Sequence, residues 1–218
     1  MVQSVNLSDL ENGFTYVEPD LLSDEVPPSV WRAVEDVWVE TMESSTKFSS
    51  RPYQKKLAAI YAYRKKNICA GAQGLGKTLI TGLTIAAIYQ KLADRRPGTI
   101  HIAVPTLLSA SLRWLVDLES IPSLRGLVEV IQSERQIVNS NKPIWIYTHD
   151  FLKRKSRRIT GSRSSLSRLI TKLHKSPAFL IVDEAHHLKP GTLRTYHLQN
   201  LRRRAKRVLL LSGTLSDG

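Results

Sequence analysis

Eight residues, Gly71-Ala72-Gln73-Gly74-Leu75-Gly76-Lys77-Thr78, restrict the folds open to this chain more than any other stretch. They fit the phosphate-loop pattern G-x-x-x-x-G-K-[ST] in full. The pattern has a physical basis. Glycines let the backbone curl until successive N–H groups point into one concavity, which suits an anion. Lys77 brings a point charge to the outer phosphates, and the Thr78 hydroxyl can ligate the magnesium ion beside them. Asn67–Ala70 reads as a short buried strand before the loop, and Leu79–Leu92 reads as an apolar helix after it. The loop then sits on a helix N-terminus, where backbone dipoles favour negative charge. A strand, a phosphate loop and a helix in that order commit the chain to α/β architecture.

Further apolar runs extend this plan. Thr99–Val104, Leu127–Ile131, Ile144–Tyr147, Phe179–Val182 and Val208–Leu211 read as strands, separated by helical stretches such as Leu107–Leu118. Runs this apolar, alternating with helices, predict a parallel sheet covered by helices on both faces. Several end in polar clusters: Pro105-Thr106, Asp183-Glu184 and Ser212-Gly213-Thr214. In such sheets ligands bind beyond the carboxyl ends of the strands, so these clusters are where chemistry should gather.

The net charge of +13 is unevenly placed. Residues 1–50 carry ten acids and two basic residues, Arg32 and Lys47, for a net of −8, which leaves +21 on the remainder. So basic a body implies a polyanionic partner, most often nucleic acid. No apolar run reaches the length of a membrane span, and the N-terminus shows no basic-then-apolar signal pattern. The lone cysteine, Cys69, cannot form an intrachain disulfide. A reducing, intracellular compartment is expected, cytoplasmic for a bacterial or viral protein and nuclear for a eukaryotic one.

Residues 1–28 show no sustained period. From Ser29, a plausible N-cap, Val30, Trp31, Val34, Val37, Trp38 and Thr41 recur at helical spacing among Glu35, Asp36, Glu40 and Glu43. This predicts an acidic amphipathic helix over about residues 29–43, within an N-terminal segment 1–50. It packs on the following domain, lies over its basic face or binds a partner. Serines and threonines between 44 and 50 read as a linker. Arg51-Pro52-Tyr53-Gln54 then opens a new helix, with proline in its first turn. Residues 51–218 are expected to form one domain.

Asp183-Glu184-Ala185-His186 follows the apolar run Phe179–Val182. A carboxylate at that strand end can hold magnesium through its water shell, and its neighbour is placed to orient and deprotonate an attacking water. With this D-E-A-H box, the segments Arg51–Gln54, Gly71–Thr78, Val104–Thr106 and Leu211–Thr214 occur in the order of a superfamily-two helicase. The chain resembles the first RecA-like domain of Swi/Snf-related ATPases, and most nearly the annealing-helicase branch. Tyr147-Thr148-His149-Asp150-Phe151-Leu152 and His187-Leu188-Lys189-Pro190 also resemble that family's segments. The resemblance covers about residues 51–218. Two positions depart from the pattern: Gln73, where methionine is usual, and Leu215, where proline is usual.

The resemblance implies ATP and Mg2+ as cofactors. It assigns Gln54, with Tyr53 beside it, to reading the adenine edge. Gly71, Ala72, Gln73, Gly74, Leu75 and Gly76 cradle phosphate, Lys77 and Thr78 bind phosphate and magnesium, Asp183 supports the metal, and Glu184 activates water. Lys77, Asp183 and Glu184 form the implied catalytic set. His186 links this site to Ser212 and Thr214, which relay its state to the DNA side. DNA is the implied partner, with contacts from Pro105, Thr106, Ser109, Thr148 and His149. The run Lys153, Arg154, Lys155, Arg157, Arg158, continuing through Arg163, Arg168, Lys172 and Lys175, either tracks DNA or forms a solvated insert. His187 and His197 read as surface residues, and Arg202-Arg203-Arg204 as a charged helix end.

A motor of this class also needs a second RecA-like domain to close over the nucleotide and supply arginine fingers, each typically worth about 10³–10⁵ in rate. The chain ends at Gly218, so that lobe is expected in trans or in a further C-terminal part. Two rivals stand beside the motor-lobe reading. One is a non-catalytic DNA-binding or regulatory protein that keeps the lobe as a scaffold. The other is an unrelated phosphate-loop enzyme such as a small-molecule kinase.

Overall fold

The computed structural model describes residues 25–44, 51–71, 74–91, 98–157 and 165–213. Its frame is a single six-stranded sheet made of β1 (Lys66–Ala70), β2 (Ile100–Val104), β3 (Val128–Val130), β4 (Ile144–Thr148), β5 (Phe179–Val182) and β6 (Arg207–Ser212). The strand order is β1-β6-β5-β2-β4-β3 and every pairing is parallel. The parallel α/β sheet expected from the apolar runs is therefore the observed one, and its architecture is RecA-like, as the resemblance implied.

Alternate side chains of the strands feed two cores, as the two-residue period of a strand requires. Ile100, Ile102, Val104, Ile144, Ile146, Ile181 and Leu209 face one side. Above them lie α1 (Pro28–Ser44), α2 (Pro52–Tyr63), α3 (Lys77–Ala86, continued by a π turn to Lys91) and α4 (Leu108–Glu119). Ala103, Trp145, Tyr147, Leu180 and Leu210 face the other side. They are covered by α6 (Leu166–Lys172) and α7 (Leu193–Arg202), with Ile137 of the short α5 (Glu134–Asn139) and Phe151 and Leu152 of a 3-10 turn. Helix α3 is buried along nearly its whole length because α1, α2 and α4 all pack on it or beside it. Its Thr81 and Thr84 hydroxyls bond back to the carbonyls of Lys77 and Ile80, so the all-round apolar helix buries no unsatisfied hydroxyl.

Helix α1 buries Val30, Ala33, Val34, Val37, Trp38 and Thr41 in the first core. Glu35 pairs with Lys55 at 2.6 Å, and Glu40 accepts a short hydrogen bond from Ser123. Of the arrangements open to this acidic helix, packing on the domain is the one adopted. No helix among the described residues is long and apolar enough to cross a membrane.

Parallel pairing has one consequence for chemistry. It brings Gly71, Pro105, His149, Asp183 and Gly213, far apart in sequence, to a single edge of the sheet, just past the ends of their strands.

Candidate nucleotide and nucleic-acid site

The phosphate loop leaves β1 at Gly71, whose N–H donates to the Ser212 carbonyl at 3.2 Å. Gly74 and Gly76 have φ of +87° and +77°, in the left-handed region that side chains disfavour. Gly76 is also the N-cap of α3, and a Cβ there would come within 2.3 Å of Gln54 Nε2. Two side chains of α2 hold the loop from outside. The Tyr53 hydroxyl and Gln54 Nε2 both donate to the Leu75 carbonyl, at 3.0 and 3.2 Å. Lys77 and Thr78 open α3, half-buried, and Lys77 Nζ donates to the Gly71 carbonyl at 2.9 Å. Ala72 and Gln73 lie outside the described residues.

Asp183 and Glu184 follow β5 directly. Asp183 Oδ2 accepts from Trp114 Nε1 at 2.8 Å, and Oδ1 accepts from the Glu184 N–H at 2.9 Å. Burial raises the Asp183 pKa above its ordinary value, with the Trp114 bond working against that rise. Glu184 sits at φ 47°, an uncommon conformation for a residue with a side chain and one that clusters at functional sites. Its Oε2 accepts from the Gly213 N–H at 3.3 Å and lies 3.3 Å from His186 Nδ1. The same His186 nitrogen is 3.1 Å from Ser212 Oγ. The expected link between the D-E-A-H box and the end of β6 is thus a set of direct contacts as far as Ser212 and Gly213. Thr214 lies outside the described residues.

The donor set fits a nucleotide with its magnesium ion. No group of three or more His, Cys, Asp or Glu among the described residues could hold a metal by itself. Mg2+ usually keeps water and substrate phosphates and takes only one or two carboxylates, a need the Asp183 carboxylate at the end of β5 can meet. Each Asp183 oxygen, though engaged once, has further acceptor capacity. Gln54 is 4% exposed, and with its nitrogen used on the loop its Oε1 is a buried acceptor without a partner. An amide oxygen in that state matches the exocyclic amino group of adenine. Cys69 is buried beside Tyr61, and burial pushes its thiol up.

The residues expected on the nucleic-acid side are placed less uniformly. Thr106 and Ser109 are exposed, and Pro105 and Thr148 are half-buried. His149 departs from expectation. It is 1% exposed, its N–H donates to the Val104 carbonyl, and its ring nitrogen Nε2 lies 3.3 Å from the Ala103 carbonyl. Burial lowers its pKa to about 4, so it is a neutral core side chain closed to a phosphate.

Lys153, Arg154, Lys155 and Arg157 are exposed, and Arg158 lies outside the described residues. The described backbone on either side of 158–164 is held to the domain. Ser156 Oγ and the Arg157 N–H both donate to the Glu134 carboxylate, and Leu166 N donates to the Arg154 carbonyl. Lys175 turns inward, its Nζ donating to the carbonyls of Ile137, Val138 and Ser140. His197 is a second correction, since it is 7% exposed and bonded to Ser167 Oγ at 2.8 Å, whereas His187 is exposed as expected.

Two features escaped sequence reasoning. One is Trp114. Its burial follows from the spacing of Ser111, Trp114 and Leu118, but no local signal points to Asp183. The other is a cluster around Asp150, which accepts from Thr106 Oγ1 (3.0 Å) and Arg194 Nε (3.0 Å) and pairs with Lys153 (2.9 Å). Burial pushes the Asp150 carboxyl up, but Lys153, Thr106 and Arg194 outweigh it and hold the carboxyl below its ordinary value. Lys153, His187, Lys189 and Arg194 line a cavity of about 590 Å3 beside this cluster. Asp150 pairs with two of these side chains, Lys153 and Arg194.

Residues 47–217 match the family described as type III restriction enzyme, res subunit, and the chain belongs to that family. No curated protein matches the sequence. Solved structures do. The Sulfolobus solfataricus SWI2/SNF2 ATPase core in complex with dsDNA is 22% identical with a TM-score of 0.56, over 77% of this chain and 32% of that one. The UvsW helicase of bacteriophage T4 is 15% identical with a TM-score of 0.63, over 97% and 70%. A second T4 UvsW structure is 16% identical with a TM-score of 0.61, over 97% and 40%. The chain thus spans about a third of the SWI2/SNF2 core. At these identities the likeness is one of fold, a RecA-like α/β domain built on a parallel sheet.

Proposed function

We propose that this member of the restriction-enzyme res-subunit family is the ATP- and DNA-binding lobe of a Swi/Snf-like DNA-dependent ATPase, an annealing helicase or translocase used in DNA replication, repair or recombination. In this reading Gln54 and Tyr53 hold the adenine side, and Lys77 neutralises the outer phosphates. Thr78 and Asp183 would hold Mg2+, which on binding supplies charge neutralisation at the phosphoryl group transferred. Glu184 takes the proton of the attacking water once it leaves the Gly213 N–H. The observation that carries the proposal is the contact set of Glu184, His186, Ser212 and Gly213. It ties Glu184, the water-activating residue of this reading, to the end of β6 and so offers a route by which the nucleotide's state reaches that strand end.

DNA as partner is supported by the basic body and by the cation-lined cavity at the sheet edge that carries Thr106 and Asp150. Such contacts to phosphates position a protein without reading sequence. Turnover requires a second RecA-like lobe to close over the nucleotide. The test is ATP hydrolysis with and without DNA, with that second lobe supplied. DNA-stimulated hydrolysis abolished by Lys77→Ala and by Glu184→Gln is expected. Robust hydrolysis by residues 1–218 alone contradicts the two-lobe requirement. DNA binding without any hydrolysis, indifferent to Lys77→Ala, leaves the lobe as a scaffold.

A further inference from the structure

Helices α6 and α7 both run back toward the start of the next strand, α6 into β5 and α7 into β6. Their last turns therefore lie at the opposite edge of the sheet from Gly71 and Asp183. Helix α6 carries Arg168, Thr171 and Lys172 at i, i+3, i+4 spacing, which places them on one face, and α7 ends beside it in Asn200 and the turn Arg203-Arg204. Arg168, Thr171 and Lys172 line one side of a groove of about 520 Å3, and Asn200, Arg203 and Arg204 line the other. None of the four cations pairs with a carboxylate among the described residues. The sequence explains why: residues 151–216 contain sixteen Lys and Arg, and their only acids are Asp183 and Glu184 at the far edge.

Helix termini account for only part of this charge. A cation in the last turn of a helix is stabilised by the dipole, which suffices for Lys172 and for Arg202, outside the groove. Arg168 sits in the first turn of α6, where the same dipole disfavours it, and Arg203 and Arg204 lie past the end of α7. Four like charges around one groove repel each other unless an anion shares it. Tyr196, 49% exposed, senses this field: hydrogen bonds with Asn200 and Arg168 and the charge of Arg203 hold its phenol below the usual range.

We infer that the α6–α7 groove is a second nucleic-acid contact, one that takes the phosphate backbone of a single-stranded segment at the edge opposite the nucleotide site. Three of its four cations are arginines, whose planar forks match phosphate oxygens. Thr171 and Asn200 add neutral donors of the kind that bond phosphates. The exposed Tyr196 ring beside them offers a surface on which an unpaired base can stack. An acidic peptide would use the cations but would leave that ring without a role. The inference shares with the proposed function only the premise that nucleic acid is the partner, and the ATP site takes no part in it.

The test is salt-dependent binding of a labelled oligothymidine to the full chain. Loss of two phosphate contacts from a single strand flattens the slope of log K against log salt by about 1.4, and at 0.1 M salt weakens binding roughly 25-fold. Arg168→Gln with Arg203→Gln should do this. Arg32→Gln with Arg125→Gln, which removes equal charge from the opposite face, should not. Tyr196→Ala should weaken binding and leave the slope unchanged. On adding oligothymidine, amides of 166–172 and 196–206 should gain protection from hydrogen exchange. Wild-type binding by the Arg168/Arg203 variant overturns the inference, as does equal loss from the control pair or equal competition by polyglutamate. Normal oligothymidine binding at this groove with no DNA-stimulated hydrolysis would sink the motor reading and leave this one standing.

Discussion

Two histidines buried in the sheet should make this fold acid-labile by an amount the structure sets. His101 is fully buried, stacked on Trp145 at 4.9 Å, with Nδ1 3.1 Å from the Tyr147 hydroxyl and Nε2 without a partner. Burial lowers its pKa to about 3, and burial lowers that of His149 to about 4. The ordinary value for unfolded histidine is about 6.5. Below that pH the unfolded chain takes up protons that the folded chain refuses, so stability falls with pH until the folded values are reached. At pH 5 each histidine costs about 2 kcal/mol relative to pH 7.5, or about 4 kcal/mol together. His101→Phe keeps a ring of similar shape and removes one titration. It also leaves the Tyr147 hydroxyl without its partner, so the pH dependence is the informative readout and the absolute stability is not. Urea unfolding followed by tryptophan fluorescence at pH 7.5 and pH 5 should show the variant losing about 2 kcal/mol less than the wild type. Asp183, raised by burial and opposite in sign, and His197, lowered by burial, are common to both chains and cancel. A variant that loses as much stability as the wild type on acidification would refute the reasoning, because His101 would then carry its proton in both states.

Two substitutions probe the nucleotide site. Gly76→Ala places a Cβ at a left-handed φ and against Gln54 Nε2, which should cost about 1–2 kcal/mol in backbone strain alone. Thermal unfolding should show a lower Tm, titration with a fluorescent ATP analogue should show weaker binding, and unchanged values for both would contradict the loop geometry. Trp114→Phe keeps the packed ring but withdraws the donor from the half-buried Asp183 Oδ2, at a cost of about 1.5–3 kcal/mol, the worth of a hydrogen bond to a charged group. If the indole positions that carboxylate, the Mg2+ concentration needed for nucleotide binding should rise in the variant. An identical Mg2+ titration would reduce Trp114 to a packing role.

The strand runs were legible because parallel strands covered on both faces must be apolar throughout, as Ile144–Tyr147 and Phe179–Val182 are. Helix α6 was not legible. Its seven residues hold only Leu166, Leu169 and Ile170 as an apolar stripe within a strongly basic stretch, and the stripe has meaning only against the face of β4 and β5. His197, read as a surface residue, misled for a related reason, and His149, placed on the DNA side by the resemblance, is buried on the same grounds. A histidine reads as polar in sequence, yet neutral imidazole is at home in a core that supplies a carbonyl or a hydroxyl, and only the packed partners show that this one does.

What the sequence by itself determined is the chemistry of single positions. The glycines at 74 and 76 answer a left-handed backbone, Lys77 and Thr78 answer phosphate and metal, and Asp183-Glu184 answer the end of an apolar strand. Those demands are local, so they are written where they act. The tertiary structure decided which distant groups these residues meet. Trp114 reaches Asp183 across 69 positions and His186 reaches Ser212 across 26, because parallel pairing aligns the strand ends at one edge. Side chains that meet there belong to strands joined by long crossovers, and no local pattern records the meeting.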